Sequence, residues 1–273
     1  TRYAAPLSVE TTALFYNMDM VTEVPDTWEE LVEEASNDGG VQFDATSIYY
    51  DLGFVRACGG YIFNYEDGAY DTTDIGLSND GAIQAYQFID DLCNKYNLIT
   101  ADVTADIARS NFQNGKCAYY IGGPWDIDGF ESAGVSFGIT EMPTFNGENF
   151  VTPVGTQVSF VSNSSEKQDA AWQFIKYLID NGAEDMYEAG DRIPAKLSDQ
   201  NIDAIQNNEY TQAFIAQINN GEPMPTVSEM GQLWTIHTNN IRSMWSGEQT
   251  PEEAAKNMVA QLEEAINLMD SGK

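Results

Sequence analysis

Apolar residues recur at helical spacing over several long stretches of the chain and alternate at strand spacing only in short ones. Between Ser78 and Tyr96, the residues Ala82, Ala85, Tyr86, Ile89, Leu92, Cys93 and Tyr96 fall on one face. Ala171, Phe174, Ile175 and Leu178 do so between Glu166 and Asp180, and Ala255, Met258, Leu262, Ala265 and Met269 do so after Pro251. Further helices are expected near 28–37, 103–113, 199–206, 210–219 and 229–246. Two helix starts carry capping chemistry. Thr27 with Glu30, and Thr250 with Pro251 and Glu253, place a hydroxyl three residues ahead of a carboxylate. The 28–37 helix is expected to end at Asn37-Asp38-Gly39-Gly40.

The strand signals are shorter. Residues 7–16 are rich in β-branched and aromatic side chains and read as a strand entering a domain body. Residues 61–70 alternate around Asp67-Gly68, a hairpin pattern, and 118–121, 136–142 and 156–162 read as further strands. Residues 46–57 read as a helix or an irregular apolar segment. Strands interleaved with longer helices make an α/β class with a mostly parallel or mixed sheet, helix exceeding strand about two to one. No internal repeat or low-complexity linker interrupts it.

Composition removes some functions. Twelve Lys and Arg against 43 Asp and Glu give a net charge of −31, which excludes a nucleic-acid binder that works by neutralising phosphates. The same balance disfavours docking on anionic lipid. The single histidine, His237, rules out a multi-histidine metal site, and Cys58, Cys93 and Cys117 have no metal-type spacing. Asp126-Ile127-Asp128-Gly129 is only a fragment of a calcium loop, without the later ligands, so no metal and no cofactor are expected. There is neither a P-loop nor a dinucleotide fingerprint.

Four segments, in order, resemble one family. They are Ser8-Val9-Glu10 with Leu14-Phe15-Tyr16-Asn17; Pro25-Asp26-Thr27-Trp28-Glu29-Glu30; Phe112-Gln113-Asn114-Gly115-Lys116-Cys117-Ala118 running to Gly123-Pro124-Trp125; and Glu222-Pro223-Met224-Pro225 with Trp234. Together they resemble the bacterial extracellular solute-binding proteins of the maltose/maltodextrin type, which serve ABC sugar importers. The resemblance implies a type II periplasmic-binding-protein-like fold, two α/β lobes joined by a hinge. It also implies that roughly a hundred residues of the first lobe lie outside this chain, leaving that lobe largely absent. On that reading residues 1–12 are a hinge crossing, 13–153 the second lobe, 154–208 a return segment of the first lobe, and 209–273 the helical completion of the second.

Sugars present hydroxyls for hydrogen bonds and C–H faces that lie flat on aromatic rings. The resemblance places Trp125, at the tip of a Gly-Gly-Pro turn, and Trp234 as stacking rings, Tyr49 as an aromatic contact and Glu10 as a hinge-region acceptor. Asp126, Tyr50 and His237 are weaker candidates. Trp28 and Trp172, on amphipathic helices, read as core. The pattern departs from the family at Ser47-Ile48, Ala105 and Thr238, which puts individual subsites in question.

The implied function is oligosaccharide binding, malto-oligosaccharide first, with delivery to membrane permease subunits and no chemical conversion. The implied location is extracytoplasmic: a cell-surface lipoprotein in a Gram-positive source, periplasmic in a Gram-negative one. A separate chain or segment supplying the N-terminal lobe is an expected partner. The alternatives are a glycoside hydrolase, for which 43 carboxylates leave room, and a surface glycan-binding module that serves no transporter.

Overall fold

The computed structural model describes residues 4–37 and 39–271. The expected start of the 1–12 crossing, Asp38 at the expected helix stop, and the last two residues of the 209–273 segment therefore lie outside the described residues.

The chain starts by supplying one strand to each of two sheets. Strand β1 (Ala5–Glu10) ends at Thr11-Thr12, and β2 (Ala13–Asn17) follows at once in a different sheet. The single strand expected over 7–16 is thus two strands. The break is held by Thr11, whose buried hydroxyl lies 2.7 Å from Thr152 Oγ1 and 2.8 Å from the Pro153 carbonyl. Helix α1 (Trp28–Asn37), β3 (Val41–Gln42), α2 (Ile48–Ala57) and the hairpin β4 (Asn64–Glu66) with β5 (Ala69–Asp71) come next. They lead to α3 (Asp80–Asn94), α4 (Ala105–Gln113), β6 (Tyr119–Gly122), α5 (Ile127–Ala133) and β7 (Phe137–Thr140). The sheet order here is β3-β6-β2-β7, with β2 antiparallel to both β6 and β7 and β3 parallel to β6.

Strand β8 (Pro153–Ser159) returns to the first sheet, followed by α6 (Gln168–Asn181), α7 (Ala183–Gly190), β9 (Ile193–Pro194) and α8 (Asp203–Gln206). Helix α9 (Glu209–Asn219), β10 (Glu222–Pro223), α10 (Met230–Trp245) and α11 (Pro251–Ser271) complete the chain. The first sheet runs β10-β8-β1-β9, with β1 antiparallel to β8 and β9 and β10 parallel to β8. Both sheets are mixed, and antiparallel pairing predominates, so the mostly parallel alternative does not hold. Short returns of strand from distant parts of the chain, not successive βαβ units, build them.

The core is aromatic and concentrated around β2, β6 and the helices on either side. Trp28 is fully buried against Phe43, Phe54, Phe88 and Phe150, its ring centroid 4.7 Å from that of Phe54. Gly53 sits where α2 meets Phe150, and a Cβ added there would collide with that ring. Gly53→Ala is expected to cost about 1–3 kcal/mol through overpacking despite the better helix propensity of alanine. A thermal melt followed by circular dichroism measures it, and an unchanged or raised Tm would refute the packing argument.

Residues 154–201 are packed differently. Val158, Phe160, Phe174, Tyr177 and Leu197 are exposed there, Phe160 at 70% and Leu197 at 77%. Helix α6 buries only Ile175, so its apolar face lacks the cover that α3 and α10 enjoy. Trp172 accordingly is 36% exposed, not a core residue as its periodicity implied, whereas Trp28 is buried. No helix is long and apolar enough to cross a membrane among the described residues.

Candidate functional site

Five of the seven sequence candidates lie on three segments, the end of β1, the start of α2 and the turn after β6; Trp234 and His237 lie on α10. Glu10 is the last residue of β1. Its Oε2 accepts from Gln157 Nε2 of β8 at 2.9 Å and lies 3.2 Å from Arg192 Nη1, just before β9. The carboxylate is therefore fixed across the strands of the first sheet, and its charge reaches Tyr49. Burial first, then Glu10, then Tyr50 raise the Tyr49 phenol above its ordinary value. Tyr49 therefore stays a neutral hydroxyl able to donate or accept.

Tyr49 and Tyr50 begin α2, where Ser47 caps the helix. Their rings meet edge to face with centroids 5.7 Å apart. The Tyr50 phenol is also raised, by burial and then by Asp126 and Asp44, against the opposing pull of Arg109. That effect ties the start of α2 to the turn carrying Trp125.

Residues Pro124–Asp126 form a single 3-10 turn. The Asp126 N–H bonds the Gly123 carbonyl at 3.1 Å, and the Asp126 Oδ2 accepts from Gly123 N at 3.3 Å and from the Tyr120 hydroxyl at 2.9 Å. Its other oxygen takes the Arg109 Nε at 2.6 Å. The indole of Trp125 folds back over Gly123, where any Cβ would collide with it. Glycine is needed here for space, since its backbone is extended. The result is a ring held from behind and 40% exposed in front.

Trp234, on α10, is 38% exposed. One turn further on, His237 Nδ1 and the Thr238 hydroxyl both lie 3.0 Å from the Thr46 carbonyl, immediately ahead of α2. Trp234 thus stands on the helix that braces the Tyr49-Tyr50 turn. Thr238, one of the positions where the pattern departs from the family, is spent on this brace.

Two of the weaker candidates are corrected by burial. Asp126 is 1% exposed and its oxygens are committed to Arg109, Tyr120 and Gly123, so it shapes the turn and does not face a ligand. His237 is fully buried between α2 and α10. Four supporting residues were not legible in the chain: Arg109, Tyr120, Gln157 and Arg192. Only Arg109 had a local signal, its spacing from Asp106, to which it is paired at 3.0 Å.

A cavity of about 600 Å³ lies apart from this cluster, between the β4–β5 hairpin and residues 222–226. Arg56, paired with Glu222 at 3.1 Å, lines it, but none of the sequence candidates does. Arg56 is seven residues along α2 from Tyr49, about 10 Å at helical rise. Tyr65, 61% exposed, also lines this cavity, so it too offers an open ring, but Trp125 and Trp234 lie outside it. Among the described residues no grouping of His, Cys, Asp and Glu could hold a metal ion, and Cys58, Cys93 and Cys117 are free thiols.

The family model described as "Bacterial extracellular solute-binding protein" matches residues 1–213. The chain belongs to this family. Among curated relatives, the solute-binding chain is 32% identical to the galactooligosaccharide-binding protein of Bacillus subtilis strain 168, covering 99% of this chain and 68% of that protein. It is 28% identical to the maltooligosaccharide ABC transporter solute-binding lipoprotein of Streptococcus pneumoniae strain R6, over 97% of this chain and 66% of that one. Among solved structures, the maltose-maltodextrin binding protein of Alicyclobacillus acidocaldarius superposes with a TM-score of 0.89 at 32% identity, covering 96% of this chain and 71% of that one. A cyclo/maltodextrin-binding protein complexed with maltotetraose also superposes at 0.89, with 29% identity and coverage of 97% and 70%. The fold is that of the maltose-binding-protein type. The solute-binding chain spans about two thirds of the length of the curated relatives it matches.

Proposed function

We propose that the chain binds an oligosaccharide, with malto-oligosaccharide first and galacto-oligosaccharide second, and presents it to an ATP-driven importer without altering it. The observation that carries this reading is the pair of half-open indoles, Trp125 on its 3-10 turn and Trp234 on α10, the helix whose His237 and Thr238 meet the Thr46 carbonyl just ahead of Tyr49. Flat rings suit sugar C–H faces, while the Tyr49 hydroxyl and the Glu10 carboxylate suit the hydroxyls. Tyr50, packed edge-on against Tyr49, supports that ring. The relatives' names, binding proteins for galactooligosaccharide and maltooligosaccharide, support the same substrate class. Membership of an extracellular family supports an extracytoplasmic location, and the lipoprotein relative supports anchoring at a cell surface.

The lobe division belongs to the same proposal: 13–153 and 209–273 as one lobe, 154–208 as part of the other, and the crossing through Thr11-Thr12 as hinge. The exposed Phe160, Phe174, Tyr177 and Leu197 support it, because an apolar face of this kind calls for cover by a further α/β lobe. Closure of that lobe would bury the sugar from the opposite side and signal occupancy to permease subunits.

Isothermal calorimetry against maltotetraose, a galacto-oligosaccharide and xylotetraose tests the reading, with chromatography of the sugars afterwards. Heat with the first or second and intact sugar is expected. Shortened sugar would overturn the binding-only reading in favour of hydrolysis, and heat with none of them would remove the sugar assignment.

A further inference from the structure

The least expected group in the interior is a carboxylate facing an imidazole. Asp51, on α2, and His237, on α10, are both fully buried, with His237 Nε2 3.6 Å from Asp51 Oδ2. That separation is too long for a hydrogen bond. Neither Asp51 oxygen nor Nε2 has another hydrogen-bond partner among the described residues. Buried polar atoms are rarely left so, and a pair facing each other is the simplest way to satisfy both.

The ring's other nitrogen decides which way the proton lies. Nδ1 is 3.0 Å from the Thr46 carbonyl, which can only accept, so Nδ1 carries the hydrogen. In a neutral ring Nε2 is then a bare acceptor, and Asp51 must supply the donor as a protonated carboxyl. The surroundings favour this neutral form over an ion pair. Burial raises Asp51 well above the usual carboxylate range, with the Asp44 charge adding to it, and burial depresses His237 to about 4. The remaining titratable group against the pair is Tyr86 of α3, whose ring centroid is 6.0 Å from His237. Its hydroxyl donates to Met258 Sδ at 3.4 Å and is thus not Asp51's partner.

Position gives the pair a role. Asp51 is two residues from Tyr49, and His237 is three residues, one helical turn, from Trp234. We infer that Asp51 and His237 close the few tenths of an ångström between them to form a charge-neutral clasp, the Asp51 O–H donating to His237 Nε2, that sets α2 against α10 and so positions Tyr49 and Trp234 on the sugar face. This rests on the sugar reading proposed above for its functional part, while the clasp itself does not. Both are positioning residues, neither touching ligand.

The test has two arms. Nitrogen-15 NMR of the wild-type chain, labelled at histidine, reads His237 directly, since it is the only histidine. An Nδ1-protonated neutral ring that does not titrate between about pH 5 and 8 is expected. A doubly protonated ring at neutral pH, or a titration near 6.5, overturns the clasp. Calorimetry with maltotetraose then compares Asp51→Asn, whose amide keeps a donor for Nε2, with Asp51→Ala and with His237→Gln. Affinity within about twofold of wild type for the first, and a loss of about tenfold or more for the other two, is expected when a supporting shell is loosened. Equal affinity in all variants, or Asp51→Asn as weak as Asp51→Ala, overturns the positioning role. If wild type itself gives no heat with any sugar, the proposed function fails, and the ring-nitrogen spectrum still decides the clasp.

Discussion

Trp125→Ala is expected to weaken malto-oligosaccharide binding by about 30- to 100-fold, a loss of about 2–3 kcal/mol typical of a buried aromatic anchor. The ring is mounted by four features that the substitution leaves in place: the absent side chain at Gly123, the fixed φ of Pro124, and the Asp126 bonds to Gly123 and to Tyr120. What is lost is the flat face, which in the complex would exchange water for the C–H surface of a sugar ring. Trp125→Phe keeps a smaller flat face and should lose about tenfold at most. Trp172 offers a control of nearly equal openness, 36% against 40%, but it stands on α6, apart from the elements that carry Tyr49 and Trp234. Trp172→Ala should therefore leave affinity unchanged. Calorimetry on the three variants reads the result, and an unaltered dissociation constant for Trp125→Ala would remove this ring from the site.

Elements whose information is local could be read from the chain. Helix α11 is one: the Thr250 N–H and hydroxyl both reach Glu253 Oε2, at 2.8 and 2.9 Å, and the Glu253 N–H returns to Thr250 Oγ1. Helix α3 buries the stripe that its spacing marked, from Ala82 to Cys93. At α1, Thr27 Oγ1 does accept from Glu30 N, at 3.1 Å. The helices that escaped notice, α5 and α7, are seven and eight residues long. That is too short for a 3.6-residue period to repeat convincingly. Strand β8 was expected three residues too late, because Pro153 looks like a strand breaker until it is seen beginning the strand. The strands β3, β9 and β10 have two residues each and exist only because a distant strand offers an edge.

The site divides along the same line. The Trp125 turn is written in five consecutive residues, and the mounting of the ring could be anticipated from them. The fixing of Glu10 could not, since Gln157 and Arg192 stand 147 and 182 positions away. The fate of Asp126 was misread for a related reason. A carboxylate beside an exposed indole looks available until β6 and α4 bring Tyr120 and Arg109 to both of its oxygens. His237, a weaker candidate one turn from Trp234, is fully buried. A helix turns 100° per residue, and residues three apart need not share the boundary between core and cleft.

Phe15→Ala should be the most destabilising single truncation, at about 3–5 kcal/mol. Phe15 is fully buried at the centre of β2, flanked by β6 on one side and β7 on the other. Its ring meets those of Phe112, Tyr120, Phe130, Phe137 and Phe214 with centroids 5.6–6.3 Å apart. Those five come from α4, β6, α5, β7 and α9, so the cavity left by truncation cannot close without moving several elements at once. The resulting fall in Tm should be about 10 °C for a chain of this size, read by calorimetric or circular-dichroism melting. Phe15→Leu keeps most of the volume and should cost under about 1.5 kcal/mol. Tyr120 is common to this cluster and to the Asp126 bonds behind Trp125. Phe15→Ala should therefore also loosen the turn and weaken sugar binding at temperatures where the chain is still folded, whereas Phe15→Leu should not. A Phe15→Ala protein that melts within about 2 °C of wild type would show that the aromatic cluster is not the keystone of this sheet.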